Sequence, residues 1–120
     1  MAVTGIGGLF FRARDPEALG AWYLTHLGVG APDGAFVWEQ QAGPTVFSPF
    51  KADTDYFPAA SQWMLNLRVD DLDGMMATLK AAGIAVITNA EWDHPDVGRF
   101  ARIHDPEGNP IELWQPAGPA

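Results

Sequence analysis

Carboxylates outnumber every other chemically capable side chain in this sequence: 15 Asp and Glu stand against 7 Lys and Arg, with 3 His and no Cys. Without cysteine there is no disulfide, no thiol nucleophile and no cysteine-held zinc or iron–sulfur site. The densest run of groups able to hold a metal is Glu91-Trp92-Asp93-His94-Pro95-Asp96. Asp93, His94 and Asp96 would be its donors, but Pro95 and a loop setting fix no coordination geometry. The run therefore reads as a surface connector or as a lid over a pocket. His26 lies near a helix C-terminus, where it complements the dipole. His104 borders a turn, facing solvent or packing on a hairpin, and neither histidine is assigned to catalysis. Arg12 and Arg68 each offer a planar fork of N–H donors that can clamp a substrate carboxylate or pair with one of the many acids. Gly5-Ile6-Gly7-Gly8 precedes a strand rather than following one, so it fails as a phosphate cradle. No Ser-His-acid arrangement has supporting context.

The 120 residues allow one domain large enough to bury a core. Apolar residues make up 48% and aromatics 12%, as in a folded globular chain. A formal charge of −8 argues against nucleic acid as a partner and against docking on anionic lipid. No apolar run approaches the roughly 20 residues that span a bilayer, and Met1-Ala2-Val3-Thr4-Gly5 lacks the character of a signal peptide. A cytoplasmic location is the expectation.

The elements that must position these groups come twice. Residues 8–14 read as a strand. Asp15-Pro16 starts a helix, Leu19, Trp22, Tyr23 and Leu27 form one apolar face, and Gly28 ends it. Residues 36–40 and 45–47 read as two further strands across Ala42-Gly43-Pro44, and residues 48–62 as a connector. The pattern then restarts: a strand over 63–69, an N-cap at Asp71, an apolar stripe of Leu72, Met75, Met76 and Leu79, and a stop at Gly83. A short β-rich run follows at 85–88. Strands over 100–104 and 110–114 flank Asp105-Pro106-Glu107-Gly108-Asn109, strong turn chemistry. Arg12 and Arg68, Asp15 and Asp71, Leu19 and Met75, and Tyr23 and Leu79 all share one spacing of 56 residues, an internal repeat. Each half, at about 60 residues, is too small to bury a sheet face well alone. The expected architecture is α+β: two repeated βαβββ modules forming a curved, mainly antiparallel sheet with helices on the convex side. Module one covers about residues 5–50, the connector about 51–62 and module two about 63–116, in one domain over 1–120. The open sheet face must cover a partner module, a ligand or both.

Two such halves resemble the vicinal oxygen chelate superfamily, which includes glyoxalase I, bleomycin-resistance proteins and extradiol dioxygenases. The most specific match is Phe100-Ala-Arg-Ile-His-Asp-Pro-Glu-Gly-Asn-Pro-Ile-Glu-Leu-Trp114. Arg12-Ala-Arg-Asp-Pro-Glu-Ala-Leu19 with Trp22-Tyr23 and Leu27-Gly28 resembles the first strand and helix, and Val69-Asp-Asp-Leu-Asp73 with Leu79-Lys-Ala-Ala-Gly83 the second. The resemblance implies a divalent metal on the concave sheet face, held by His and Glu or Gln, acting as a Lewis acid. Its ligand positions fall on Gly8, Thr45 (or Val46), Met64 and Glu112. Glycine offers no donor, and a thioether is a poor ligand for such metals. A metal-free site is thus expected, with no cofactor unless the ligand positions are shifted.

On the same resemblance, Glu112 is the candidate catalytic group, a general base if desolvation raises its pKa, or else a structural carboxylate. Arg12 and Arg68 stand four residues from Gly8 and Met64, on the same strand face. Phe10, Phe47, Asn66 and Trp114 share that parity, as pocket lining or as core. The implied function is a small-molecule binding protein of glyoxalase/bleomycin-resistance type. The alternatives are a glyoxalase I-like lyase or isomerase, a dioxygenase, a metal-free isomerase using Glu112, or a partner-binding protein whose aromatics fill the concave face. A homodimer with composite sites is implied as well.

Overall fold

A computed structural model of the chain describes residues 1–31 and 37–118. Its elements in chain order are helix α1 (Pro16–Leu27), strand β1 (Leu65–Arg68), helix α2 (Leu72–Ala81), a short 3-10 turn (Ala90–Trp92), and strands β2 (Gly98–His104) and β3 (Pro110–Pro116). Both helices begin as their sequences dictate. The Asp15 carboxylate accepts from Ala18 N–H at 3.1 Å and Pro16 opens α1, while the Asp71 carboxylate accepts from Gly74 N–H at 3.0 Å. Gly28 ends α1 at φ +66°, a left-handed conformation that glycine adopts without steric cost.

The sheet order is β1-β3-β2, with β1 parallel to β3 and β2 antiparallel to it. The parallel pair follows from the α2 crossover, and the antiparallel pair from the tight turn between β2 and β3. In that turn the Asp105 carboxylate accepts from Glu107 N–H at 2.9 Å and Asn109 N–H at 3.0 Å. The 85–88 run reaches the outer edge of β2 through one bridge, Ile87 to Arg102. The second half therefore has a strand–helix–strand–strand order, and the 85–88 run adds one bridge in place of the third strand expected.

Alternation divides the sheet residues between two faces. Ala101 and Ile103 of β2 and Ile111 and Leu113 of β3 pack with Leu19 and Tyr23 of α1 and Leu72 and Leu79 of α2. Each of the larger aliphatics contributes about 1.5–3 kcal/mol on burial. Both helices thus lie on one face. The opposite face carries Asn66, Arg68, Phe100, Arg102, Glu112 and Trp114.

The first half differs from the expectation. Residues 8–14 and 45–47 form no strand, nor do 37–40; Phe36 lies outside the described residues. Each half has its helix, α1 and α2, but no strand precedes Leu65 among the described residues, so the repeated βαβββ module is not seen in the first half. The sheet is mixed and three-stranded rather than mainly antiparallel. The aromatic and β-branched runs supply strand propensity, but a strand also needs a paired neighbour and a covered face. α1 obtains its cover by packing on the second half, whereas residues 8–14 touch it only in part, through Phe11 and Ala13, and residues 37–47 are exposed. No helix among the described residues is long and apolar enough to cross a membrane.

Candidate functional site

The helix-free sheet face presents two rows of side chains in register. Asn66, Glu112 and Arg102 form the first, across β1, β3 and β2, and Arg68, Trp114 and Phe100 form the second. Residues of the 48–62 connector lie over the first row. Glu112, only 7% exposed, accepts from Asn66 Nδ2 at 2.7 Å on Oε1 and from the Tyr56 hydroxyl on Oε2. Burial pushes the Tyr56 phenol up to about 12, helped by its hydrogen bond to Glu112 and by that group's charge. The guanidinium of Arg102 acts in the opposite sense.

Arg102 is 6% exposed. Its Nη2 donates to the Tyr56 carbonyl at 3.0 Å, and its guanidinium lies 4.9 Å from the centre of the Tyr56 ring and 5.5 Å from that of Trp92. The two rings meet edge to face, 5.9 Å apart. A cleft of about 590 Å³ opens here, lined by residues 53–59 with Arg102 and His104.

At the other end of the face, Arg68 donates from Nη1 to the Pro44 carbonyl at 2.8 Å and from Nη2 to the Gln41 carbonyl at 2.9 Å. Its fork holds the 41–44 loop by backbone oxygens. Trp114 donates from Nε1 to the Val97 carbonyl at 2.9 Å and lies parallel to Phe100, 6.3 Å between ring centres. Met64, just before β1, is half-buried. The fold therefore brings Asn66, Arg68, Glu112 and Trp114 to one face. It does not bring Phe10, Arg12 and Phe47 there: Phe10 is 86% and Phe47 88% exposed, and Arg12 is exposed too. The Asp93–Asp96 run is an ordered turn: Asp93 accepts from Phe100 N–H at 3.0 Å, and His94 Nδ1 accepts from Asp96 N–H at 3.1 Å.

Three residues of the site were not singled out from sequence. Arg102 had a usable signal, because a turn over 105–109 sets the hairpin register that places it beside Glu112. Tyr56 and Trp92 had none, since both sit outside regular strands and reach the face only through tertiary packing.

The metal implied by the resemblance can be tested against these donors. Gly8 has none, and the Thr45 hydroxyl is directed at the Gly43 carbonyl at 3.5 Å. Met64 offers a soft thioether. Glu112 already accepts from two side chains. Among the described residues no group of three or more His, Cys, Asp or Glu is placed to hold an ion. This donor set does not fit the family's metal.

A second cleft, of about 280 Å³, lies where α1 begins, lined by Arg14, Asp15, Ala18, Leu19, Trp22, Pro106 and Glu107. Glu107 accepts there from the backbone N–H of Arg14 at 2.6 Å and of Asp15 at 3.1 Å, contacts that hold its carboxyl below the ordinary range. These bonds tie the chain ahead of α1 to the β2–β3 turn.

Known proteins resemble this chain in fold or in sequence. The crystal structure of TnmS3, an antibiotic binding protein from Streptomyces sp. CB03234, superposes with a TM-score of 0.57 at 30% identity, covering 97% of this chain and 98% of that one. A Mycobacterium bovis protein provisionally named glyoxylase CFP32 is 40% identical over 57 residues, which is 48% of this chain. The same name and figures hold for its Mycobacterium tuberculosis counterpart. That match spans 22% of the length of these relatives. The sequence pattern of the glyoxalase-like domain matches residues 8–114. With that pattern running through both halves and ending on the strand that carries Glu112, the chain belongs to the glyoxalase-like domain family.

Proposed function

We propose that this chain binds a small organic molecule over the open face of its sheet, in the manner of an antibiotic-binding protein, and does so without the family's metal. One observation carries the reading. Glu112 is buried on that face, held by Asn66 and Tyr56, beside a cleft of about 590 Å³. Pockets for small ligands combine apolar walls with a few fixed polar groups of this kind. The likeness to TnmS3 over nearly the whole chain supports the same reading. A cytoplasmic setting and pairing into a homodimer complete the proposal. The exposed Phe10, Val46 and Phe47 of the first half support the pairing.

The test is a titration followed by the intrinsic fluorescence of the five tryptophans. Bleomycin would serve as a cationic probe and 2-naphthoate as a planar acidic one. Saturable quenching by either, with a matching rise in Tm, is the expected result. Unchanged fluorescence and Tm with both would overturn the reading.

The contact between Glu112 and the Tyr56 phenol favours one second reading, a metal-free isomerase in which Glu112 moves a proton. Turnover of the methylglyoxal–glutathione hemithioacetal that Glu112→Gln abolishes would establish it. Metal content, measured by mass spectrometry after dialysis against nickel, zinc, manganese and iron, decides the metal question separately. A stoichiometric ion lost in Glu112→Ala would overturn the metal-free reading.

A further inference from the structure

Arg102 is a buried cation short of partners. Among the described residues no carboxylate lies within ion-pair distance of it, although Glu112 is its neighbour in the ladder. Both oxygens of Glu112 are engaged by Tyr56 and Asn66 instead. Its Nε–H is buried and donates to nothing. Burying a guanidinium is costly unless an anion or a full set of acceptors compensates. Here it has one carbonyl and two aromatic rings. The Tyr56 ring lies against the guanidinium as the ring of an aromatic ligand would, and the strap carrying it, residues 53–59, walls the adjoining cleft.

We propose that Arg102 is the specificity-determining residue of this site: it recognises a planar aromatic ligand through an acidic oxygen, a carboxylate or phenolate, with the ligand ring taking the place of Tyr56 against Arg102 and Trp92. The assignment rests on the reading of the open face as a ligand site. The oxygen accepts from Nε and Nη in the forked geometry that guanidinium favours. Asp53 and Asp55 stand exposed on the cleft wall. They oppose a second negative charge, so the ligand is a monoanion or carries its further charge as a cation.

The experiment compares 2-naphthoate, 2-naphthamide and naphthalene-2,6-dicarboxylate by isothermal titration with the wild-type chain and with Tyr56→Ala, which frees the place of the ring. The expected result is binding of the monoanion, with the neutral amide weaker by about tenfold or more and the dianion weaker as well. Arg102→Gln should erase the preference for acid over amide. Arg102→Lys keeps the charge without the fork and should retain only part of it. Should both substitutions unfold the chain, nitrogen-15 spectra of the wild type give the same answer, because bound 2-naphthoate must shift the Arg102 Nε–H resonance. Equal affinity for acid and amide, or a stationary Nε–H resonance on saturation, overturns the role of Arg102 while small-molecule binding stands. Failure of all three probes on both wild type and Tyr56→Ala overturns the assignment. If bleomycin also leaves the tryptophan fluorescence unchanged, the binding reading falls with it.

Discussion

At the scale of single residues the open face is organised by acceptors and donors that find one another across strands and connector. Glu112 is fixed by Asn66 from β1 and by Tyr56 from the connector. The chain's two tyrosines, Tyr23 and Tyr56, are both held protonated beyond the ordinary phenol range, each first by burial and then by a hydrogen bond to a carboxylate. The sign of the stability effect follows. A phenol whose folded value exceeds the unfolded 10.0 binds its proton more tightly in the native state. Its contribution is complete below pH 10 and is lost as pH rises through about 12 for Tyr56. Absorbance at the phenolate band should therefore stay flat through the pH where free tyrosine ionises, then rise together with loss of the near-ultraviolet circular dichroism. A native chain showing a free-tyrosine titration would contradict this placement. Glu112→Gln should lower the Tyr56 value only partly, since burial is its largest cause.

Among elements, the decisive junction is between α1 and the β2–β3 turn. The Tyr23 hydroxyl donates to Asp105 at 2.7 Å across a long stretch of chain. The same carboxylate takes the backbone N–H of Glu107 and Asn109 and the Asn109 amide. The Asp-Pro-Glu-Gly-Asn sequence is thus a turn and a socket for the first helix together. Tyr23→Phe removes one buried hydrogen bond and should lower stability by about 1 kcal/mol in urea denaturation. Asp105→Ala removes four acceptor contacts and should lower it by about 3 kcal/mol or more. Equal effects of the two substitutions would mean that the link to α1, rather than the contacts within the turn, sets the cost. This junction was half legible in sequence: the turn residues announce the hairpin, but nothing local connects Tyr23 to Asp105.

For the molecule as a whole, the second half has a sheet with a covered core, while the first half contributes a docked helix and segments that leave Ile6, Phe10, Val46 and Phe47 exposed. Apolar surface of that kind marks association. Light scattering on a sizing column should give twice the chain mass of 13.0 kDa. Phe10→Ser with Phe47→Ser should shift it toward one chain mass. A wild-type mass of 13.0 kDa at all concentrations would rule pairing out.

The sequence by itself determined the helices, because Asp15-Pro16, Asp71, Gly28 and Gly83 act within a few residues of where they stand. It determined the β2–β3 hairpin for the same reason, and through hairpin register the neighbours of Glu112. It placed Asn66, Arg68 and Trp114 with Glu112, since alternation along paired strands fixes the face a side chain takes. Only the tertiary structure decided what Arg68 does, because backbone carbonyls at Gln41 and Pro44 carry no residue signature. It alone decided that Tyr56 and Trp92 lie against Arg102, contacts made by segments without periodicity. It alone also left residues 8–14 and 37–47 without a ladder, since strand formation is a property of two segments and a covered face, and one segment's sequence states only its half of that pairing.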